Sequence, residues 1–355
     1  MSKRGECEVV KAPNLRSLET NGHFGRSQRG IDSSALLRKT CEGHAAAPGS
    51  IKFGAQAGGA KPWLPTQHSK VPFDGPMERI NLLDEINITR WKVRDQADTP
   101  TCTAHAAIAC IELMLAREPA GPTWLSVRFV DEALRARRPF PGSESNAPAG
   151  IVIPRSAAMA KLCEAAITLE TDGVCLESYF DETAVPKGQQ PDVIAKKDAA
   201  DRKYRAAFYR DYPPPGEREA DLARWVYSEL KSERPVAIAL PGFHEPADLL
   251  GRTSWDRDSI WLSGVVTDPQ SPHDNGVPGS GHAICVVGFE PQSTDPLDGH
   301  FIFRNSWGAA FGKNLNIVLS GTSGPLVPMR GYGKISANYV EKYCWEAVSF
   351  IRMGN

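Results

Sequence analysis

Between residues 100 and 171 apolar positions recur at helical spacing, and beyond residue 235 they gather into short runs bounded by Gly, Pro and Asn. PTCTAHAAIACIELMLAR (100–117), rich in Ala, Ile, Leu and Met, predicts a buried helix. Within WLSVRFVDEALRARR (124–138), Leu125, Phe129 and Leu134 share one helical face, and RSAAMAKLCEAAITLE (155–170) repeats the Ala/Leu pattern. Residues 182–216 are polar, end in Tyr-Pro-Pro-Pro-Gly, and read as a surface connection with one short helix. A further helix is expected over 219–234, with Leu222, Val226 and Leu230 on one side and Pro235 as its stop.

The second half reads differently. VAIAL (236–240), HAICVVGF (282–289), HFIFR (300–304), GYGKISANYV (331–340) and WEAVSFIR (345–352) are strand-length apolar runs. Ser259–Val266 reads as a strand pair or bend, and NLNIVLSGTSGPLVPMR (314–330) as a hairpin insertion. A helix-rich first half and strand-rich second half give an α+β class. Residues 1–72 carry neither period and hold scattered Gly, Ser, Pro and basic residues. They are expected to be a flexible extension or a pro-segment.

Composition narrows the function classes. The formal net charge of −1 offers no basic footprint for nucleic acid or an anionic membrane, so neither partner is expected. No apolar run reaches the ~18 residues of a membrane span, and MSKRGECEVVKAPNLRS has no apolar core for a secretory signal. The eight cysteines are irregularly spaced and mostly sit in apolar segments. Reduced core thiols in a cytoplasmic protein are therefore expected, although an unconventional export route would leave no mark in the sequence.

One cysteine has distinctive surroundings. Thr99-Pro100 marks the coil-to-helix junction of the 100–117 segment, with Thr able to cap and Pro tolerated in the first turn. Cys102 falls in that first turn, where free N–H groups and the helix dipole favour a thiolate. Gln96 lies just upstream on a segment that can fold back beside the sulfur. Its amide N–H and the backbone N–H of Cys102 would be two donors for one oxyanion. A cysteine at a helix start is more often inert packing, and a zinc reading of Cys102, His105 and Cys110 lacks a second ligand pair. No metal or organic cofactor is expected. His282 starts an apolar strand after Gly-Ser-Gly, which would put its ring at a sheet edge. Asn305 ends the next strand, where its amide could orient an imidazole.

Gln96, the spacing to Cys102 with its apolar helix, Gly281-His282-Ala283, Phe301 to Gly308 (FIFRNSWG) and Gly331 to Ile335 (GYGKI) together resemble the papain-like cysteine peptidases, in that family's order Gln, Cys, His, Asn. The likeness runs from about Asn81 to the C-terminus. It implies a two-lobed fold over 73–355: a helical lobe about 95–218 with the catalytic helix, and an antiparallel β-barrel-like lobe about 219–355. It also implies hydrolysis of peptide or protein substrates through a Cys102 acyl-thioester, with His282 as general acid/base. Asn305 would orient His282, and Gln96 would hold the oxyanion. Gly150, Gly281 and Trp307 are the implied substrate-contacting positions, and Trp307 would also shield the His–Asn bond.

The sequence departs from that family at Thr103 and His105, where aromatic residues usually stand. It departs again at Thr99, which removes a disulfide common in secreted relatives. Three other readings keep the same fold. A transpeptidase or cyclase would pass the thioester to an amine, a silent papain-fold protein would only bind, and a specialised protease would cut one partner.

Overall fold

The computed structural model describes residues 75–84, 86, 91–97, 99, 101–137, 161–181, 189–211, 221–243, 255, 258–267, 278–293, 297–318, 326–344 and 346–354. The expectations for residues 1–72 and for Gly150 lie outside them.

Helix α1 (Cys102–Ala116) is the axis of the molecule. Twelve of its fifteen residues are buried, so it has no solvent face, as the Ala-rich pattern requires. Its small side chains let the long strand β5 (Pro278–Pro291) pack closely against it. Helices α2 (Val127–Arg137) and α3 (Leu162–Thr171) pack on α1 and on each other. Leu125, Phe129 and Leu134 are all buried, as their spacing predicts. Ser126 closes the start of α2 by accepting the Phe129 N–H at 2.9 Å and donating to the Phe180 carbonyl at 2.6 Å.

The expected connection over 182–216 contains more than one short helix. Helix α4 (Val193–Ala200) leads into strand β2 (Tyr204–Asp211), which pairs along its length with β10 (Glu346–Arg352). Helix α5 (Leu222–Lys231) then buries Leu222, Val226 and Leu230 and delivers the chain to β3 (Val236–Phe243). Ser259–Val266 is only half strand: α6 (Asp258–Ser263) turns at Gly264 into β4 (Val265–Val266).

The large sheet runs β2-β10-β3-β5-β6-β9-β4, with β6 at Gly299–Arg304 and β9 at Tyr332–Ser336. Strand β1 (Ile80–Asn81) adds to β5, and every pairing is antiparallel except β4 with β9. This corrects the barrel-like expectation. The sheet is open, with β2 and β4 as its ends, and the hairpin β7–β8 (Asn316–Val318, Leu326–Pro328) forms a separate two-stranded sheet without closing it. Helix α7 (Ala337–Tyr343) separates β9 from β10, so the last strand crosses to the far side, between β2 and β3.

The result positions the site. Strand β5 lies between β3 and β6, so His282 pairs with Leu240 while β6 ends at Arg304, one residue before Asn305. Helix α1 starts against this end of the sheet.

Candidate active site

Helix α1 begins at Cys102 itself, with Thr101 as the capping residue whose carbonyl takes the His105 N–H at 3.0 Å. Thr99, expected to cap, does something else. Its hydroxyl donates to the Gln96 carbonyl and lies 3.0 Å from the Thr101 hydroxyl, tying the preceding loop into a tight turn. Cys102 is half-buried, in contact with the core. Its sulfur is faced by the backbone N–H of Ala283 and by the hydroxyl and N–H of Thr103. Burial pushes the Cys102 thiol up, and these donors pull it back only in part. The first-turn position alone therefore does not hold a resting thiolate: desolvation outweighs the donors.

Ala283 follows His282, so the strand that donates to the sulfur also carries the imidazole. His282 is buried, and its Nε2 lies 2.7 Å from Asn305 Oδ1. An amide oxygen only accepts, so Nε2 carries the proton and Nδ1 is left as the basic atom. Asn305 is held in turn: its Oδ1 also accepts the Ser306 N–H at 2.8 Å, and its own N–H donates to the Gly331 carbonyl at 2.9 Å. The Trp307 indole stacks on the imidazole, centroids 4.4 Å apart at 30°.

Gln96 reaches the same place through backbone pairing. Asp95 bridges to Trp307, the Gln96 N–H donates to the Ser306 carbonyl at 2.8 Å, and the Gly308 N–H donates to the Arg94 carbonyl at 2.9 Å. Gly308 has φ +70°, and a Cβ there would stand 2.6 Å from the Asp95 carboxylate, so the turn after Trp307 requires glycine. The Gln96 amide is oriented at both ends: Oε1 accepts the Ser306 hydroxyl at 2.5 Å, and Nε2 donates to the Thr99 carbonyl at 2.7 Å. One of its two N–H bonds is thereby spent and the other is left to aim elsewhere. Thus Gln96, Cys102, His282, Asn305 and Trp307 come together. Gly281 is half-buried one residue before the imidazole.

Below the site lies a buried charge cluster that the motifs did not announce. Glu112, nearly three turns along α1 from Cys102, takes Arg94 Nη2 at 2.5 Å and the Leu125 N–H at 3.1 Å on one oxygen. Arg304 Nη1 lies 3.6 Å from the other oxygen, and the Arg304 guanidinium covers the Trp91 ring at 3.9 Å. Arg94 also reaches Glu177 at 2.8 Å. His105 sits beside this cluster. Burial first, then the charges of Arg94, Arg304 and His282, push it down to about 3.

That displacement has a stability consequence. The folded value lies below the ordinary 6.5, so the unfolded chain binds the extra proton between about pH 6.5 and 3. Stability is therefore full above that window and falls as pH drops through it, by about 2 kcal/mol at pH 5. Denaturant melts of wild type and His105→Gln at pH 7 and 5 should differ by that amount; equal pH dependence would contradict it.

Cys110 faces Cys285 at 3.4 Å, and no cluster of metal-binding side chains occurs among the described residues. Two further tryptophans escaped the sequence reading. Trp255 meets His282 edge-on at 5.5 Å, and Trp261 stacks on the far face of Trp307 at 5.4 Å. Trp255 comes from a polar stretch given no element, and Trp261 from the stretch read as a strand pair or bend.

No protein-family model and no curated protein matches the chain. Solved structures do. Xylellain, a cysteine protease from Xylella fastidiosa, superposes with a TM-score of 0.53 at 18% identity, covering 81% of this chain and 94% of its own. Procathepsin L 3 from Tenebrio molitor larval midgut matches at TM-score 0.49 and 14% identity over 80% and 74% of the two chains. Bromelain from Ananas comosus matches at 0.44 and 14% over 77% and 98%. The xylellain match carries the conclusion about architecture: this chain has the papain-like cysteine-protease fold, and at such low identity the likeness speaks for the fold alone.

Proposed function

We propose that this chain is a cysteine-type peptidase that hydrolyses peptide bonds through an acyl-thioester on Cys102. One observation carries the reading. His282 Nε2 is spent on Asn305 at 2.7 Å, while the N–H of the next residue, Ala283, donates to the Cys102 sulfur. Nδ1, the ring nitrogen that carries no proton in this tautomer, is thus the base for a thiol whose burial favours its protonated form.

In this reading His282 Nδ1 takes the thiol proton as the sulfur attacks the substrate carbonyl carbon. The carbonyl oxygen becomes an oxyanion, held by the remaining Gln96 Nε2–H and the first-turn N–H of Cys102. As the C–N bond breaks, the imidazolium returns the proton to the leaving amine. Water, deprotonated by the same imidazole, then attacks the thioester and frees the acid and the thiol. The Nε2–H to Asn305 bond fixes tautomer and ring direction throughout. No step needs a metal or an organic cofactor.

We also infer a reducing, cytoplasmic setting, supported by the six described cysteines all being free thiols. No helix among the described residues is long and apolar enough to cross a membrane.

The test is labelling of the folded protein with a peptidyl vinyl sulfone, followed by peptide mapping. Modification at Cys102, with loss of casein cleavage after labelling, is the expected result. A Cys102 that reacts only after denaturation would overturn the peptidase reading in favour of a silent binding protein. An added amine nucleophile that captures the acyl group ahead of water would redirect it to transpeptidation.

A further inference from the structure

We propose that His105 is a positioning residue which, together with Arg304, holds one buried water against the side-chain amide of Asn305. The site is a small cavity between α1 and strands β5 and β6, with Arg94, His105, Ala106, Ala283, Arg304 and Asn305 among its walls. Its volume, about 10 Å³, has room for one water and nothing larger. Two of those walls carry donors with nothing to donate to. Asn305 Oδ1 is taken by His282 at 2.7 Å and by the Ser306 N–H at 2.8 Å, which fixes the amide's orientation and turns Nδ2 the other way. Nδ2 makes no hydrogen bond among the described residues. Arg304 Nη1 makes none either, and its 3.6 Å approach to Glu112 is an ion pair only. Asn305 is 2% and Arg304 3% exposed, so bulk solvent does not serve them, and a buried donor left unsatisfied is costly.

His105 supplies a third partner from α1. It is buried, and burial followed by the charges of Arg94, Arg304 and His282 pushes it down to about 3. At neutral pH the ring is therefore uncharged and keeps one nitrogen as an acceptor. A water that accepts from Asn305 Nδ2 and Arg304 Nη1 and donates to His105 makes three hydrogen bonds, the usual number for a buried water. An anion suits the site less well. The two arginines are already balanced by Glu112 and Glu177, and a halide is larger than a water.

The consequence is mechanical. Asn305 Oδ1 orients the imidazole, and a bond on Nδ2 stops the amide from tilting about its own side-chain axis. The water also ties the His282–Asn305 pair to the buried Arg304–Glu112 cluster. An aromatic ring at position 105, where the papain-like pattern usually has one, offers no such acceptor, so this arrangement belongs to this sequence. The kinetic side of the inference rests on the peptidase reading; the hydration site does not.

The experiment has two arms on the full chain. In the first, the Asn305 side-chain NH₂ is assigned in nitrogen-15-labelled wild type and its nuclear Overhauser effect to water is measured, with and without sodium bromide. A cross-peak to a long-lived water, unmoved by bromide, is the expected result. An amide with no water cross-peak overturns the proposal, and so does a shift that saturates with bromide, which would make the ligand an anion. In the second arm, kcat and KM are compared for wild type, His105→Gln, His105→Phe and His105→Leu. Phe and Leu remove the acceptor and are expected to lose the cross-peak and lower kcat about fivefold, with KM within about twofold. Gln keeps an acceptor oxygen and should retain the cross-peak and most of kcat. A folded Phe or Leu variant with wild-type kcat would overturn the positioning role, as would a Gln variant no better than Leu. If His105→Phe does not fold, His105→Leu decides by the same readings. If the wild type neither labels nor cleaves, the peptidase reading fails, and the NMR arm still tests the water.

Discussion

Replacing His282 by Ala is expected to lower kcat/KM by about 10⁴-fold or more while leaving the fold intact. The size follows from the state of the sulfur. Burial raises the Cys102 thiol and the donors of Ala283 and Thr103 only partly offset this, so little thiolate exists before the base acts. Without Nδ1 the thiol keeps its proton, and without the imidazolium the amine leaves as an anion. Both halves of the reaction are lost, so further removal of Cys102 should add little to the defect. Asn305→Ala should be milder, because the ring keeps its Trp255 and Trp307 contacts while losing the bond that sets its tautomer. The measurement is steady-state hydrolysis of a peptide pool alongside the rate of Cys102 alkylation. A His282→Ala enzyme with wild-type alkylation and hydrolysis would remove the imidazole from the mechanism.

The parts legible in the sequence were those that short-range pattern dictates. Helix α1 was read from its unbroken small apolar run, and it starts within two residues of the expected place. The β7–β8 hairpin was read from a turn-forming stretch between apolar triplets. Two site residues were read because they stand at element boundaries, Cys102 where coil becomes helix and Asn305 just after a strand; His282 was expected to start a strand and lies four residues inside β5.

What escaped was decided over long distance. Strand β2 (YRAAFYRD) carries as many charged residues as its neighbours in the 182–216 stretch, and only its pairing with β10, more than 130 residues away, makes it a strand. The sheet was expected to curl into a barrel, yet closure depends on whether β2 and β4 meet, which no local run of residues encodes. The capping role given to Thr99 failed because the helix starts at Cys102 with Thr101 in the capping position, while the Thr99 hydroxyl closes the turn before it by donating to the Gln96 carbonyl. Trp255 lies in a polar stretch given no element and Trp261 in one expected to be a strand pair or bend, and only tertiary packing brings the first against the imidazole and the second against Trp307.

Glu112→Ala is expected to destabilise the protein by about 3–5 kcal/mol, the cost of leaving buried charge uncompensated. Glu112 is 1% exposed and stands between two guanidiniums that are themselves buried. After its removal Arg94 would keep Glu177 and the Leu125 carbonyl, each at 2.8 Å, but Arg304 would keep only the Trp91 face and the Lys92 carbonyl. The Leu125 N–H would also lose its acceptor. The damage should travel to the site, because Arg94 and Arg304 are next-but-one to Gln96 and adjacent to Asn305, and the Arg94 carbonyl holds the Gly308 N–H. Glu112→Gln keeps the shape and both acceptor directions on one oxygen, so it should cost less than Ala while still removing the charge. Denaturant midpoints and activity for the two variants decide the matter. A loss under about 1 kcal/mol for Glu112→Ala would mean that water reaches the cluster and screens it, and the buried pair would then play no part in holding Gln96 and Asn305 in register.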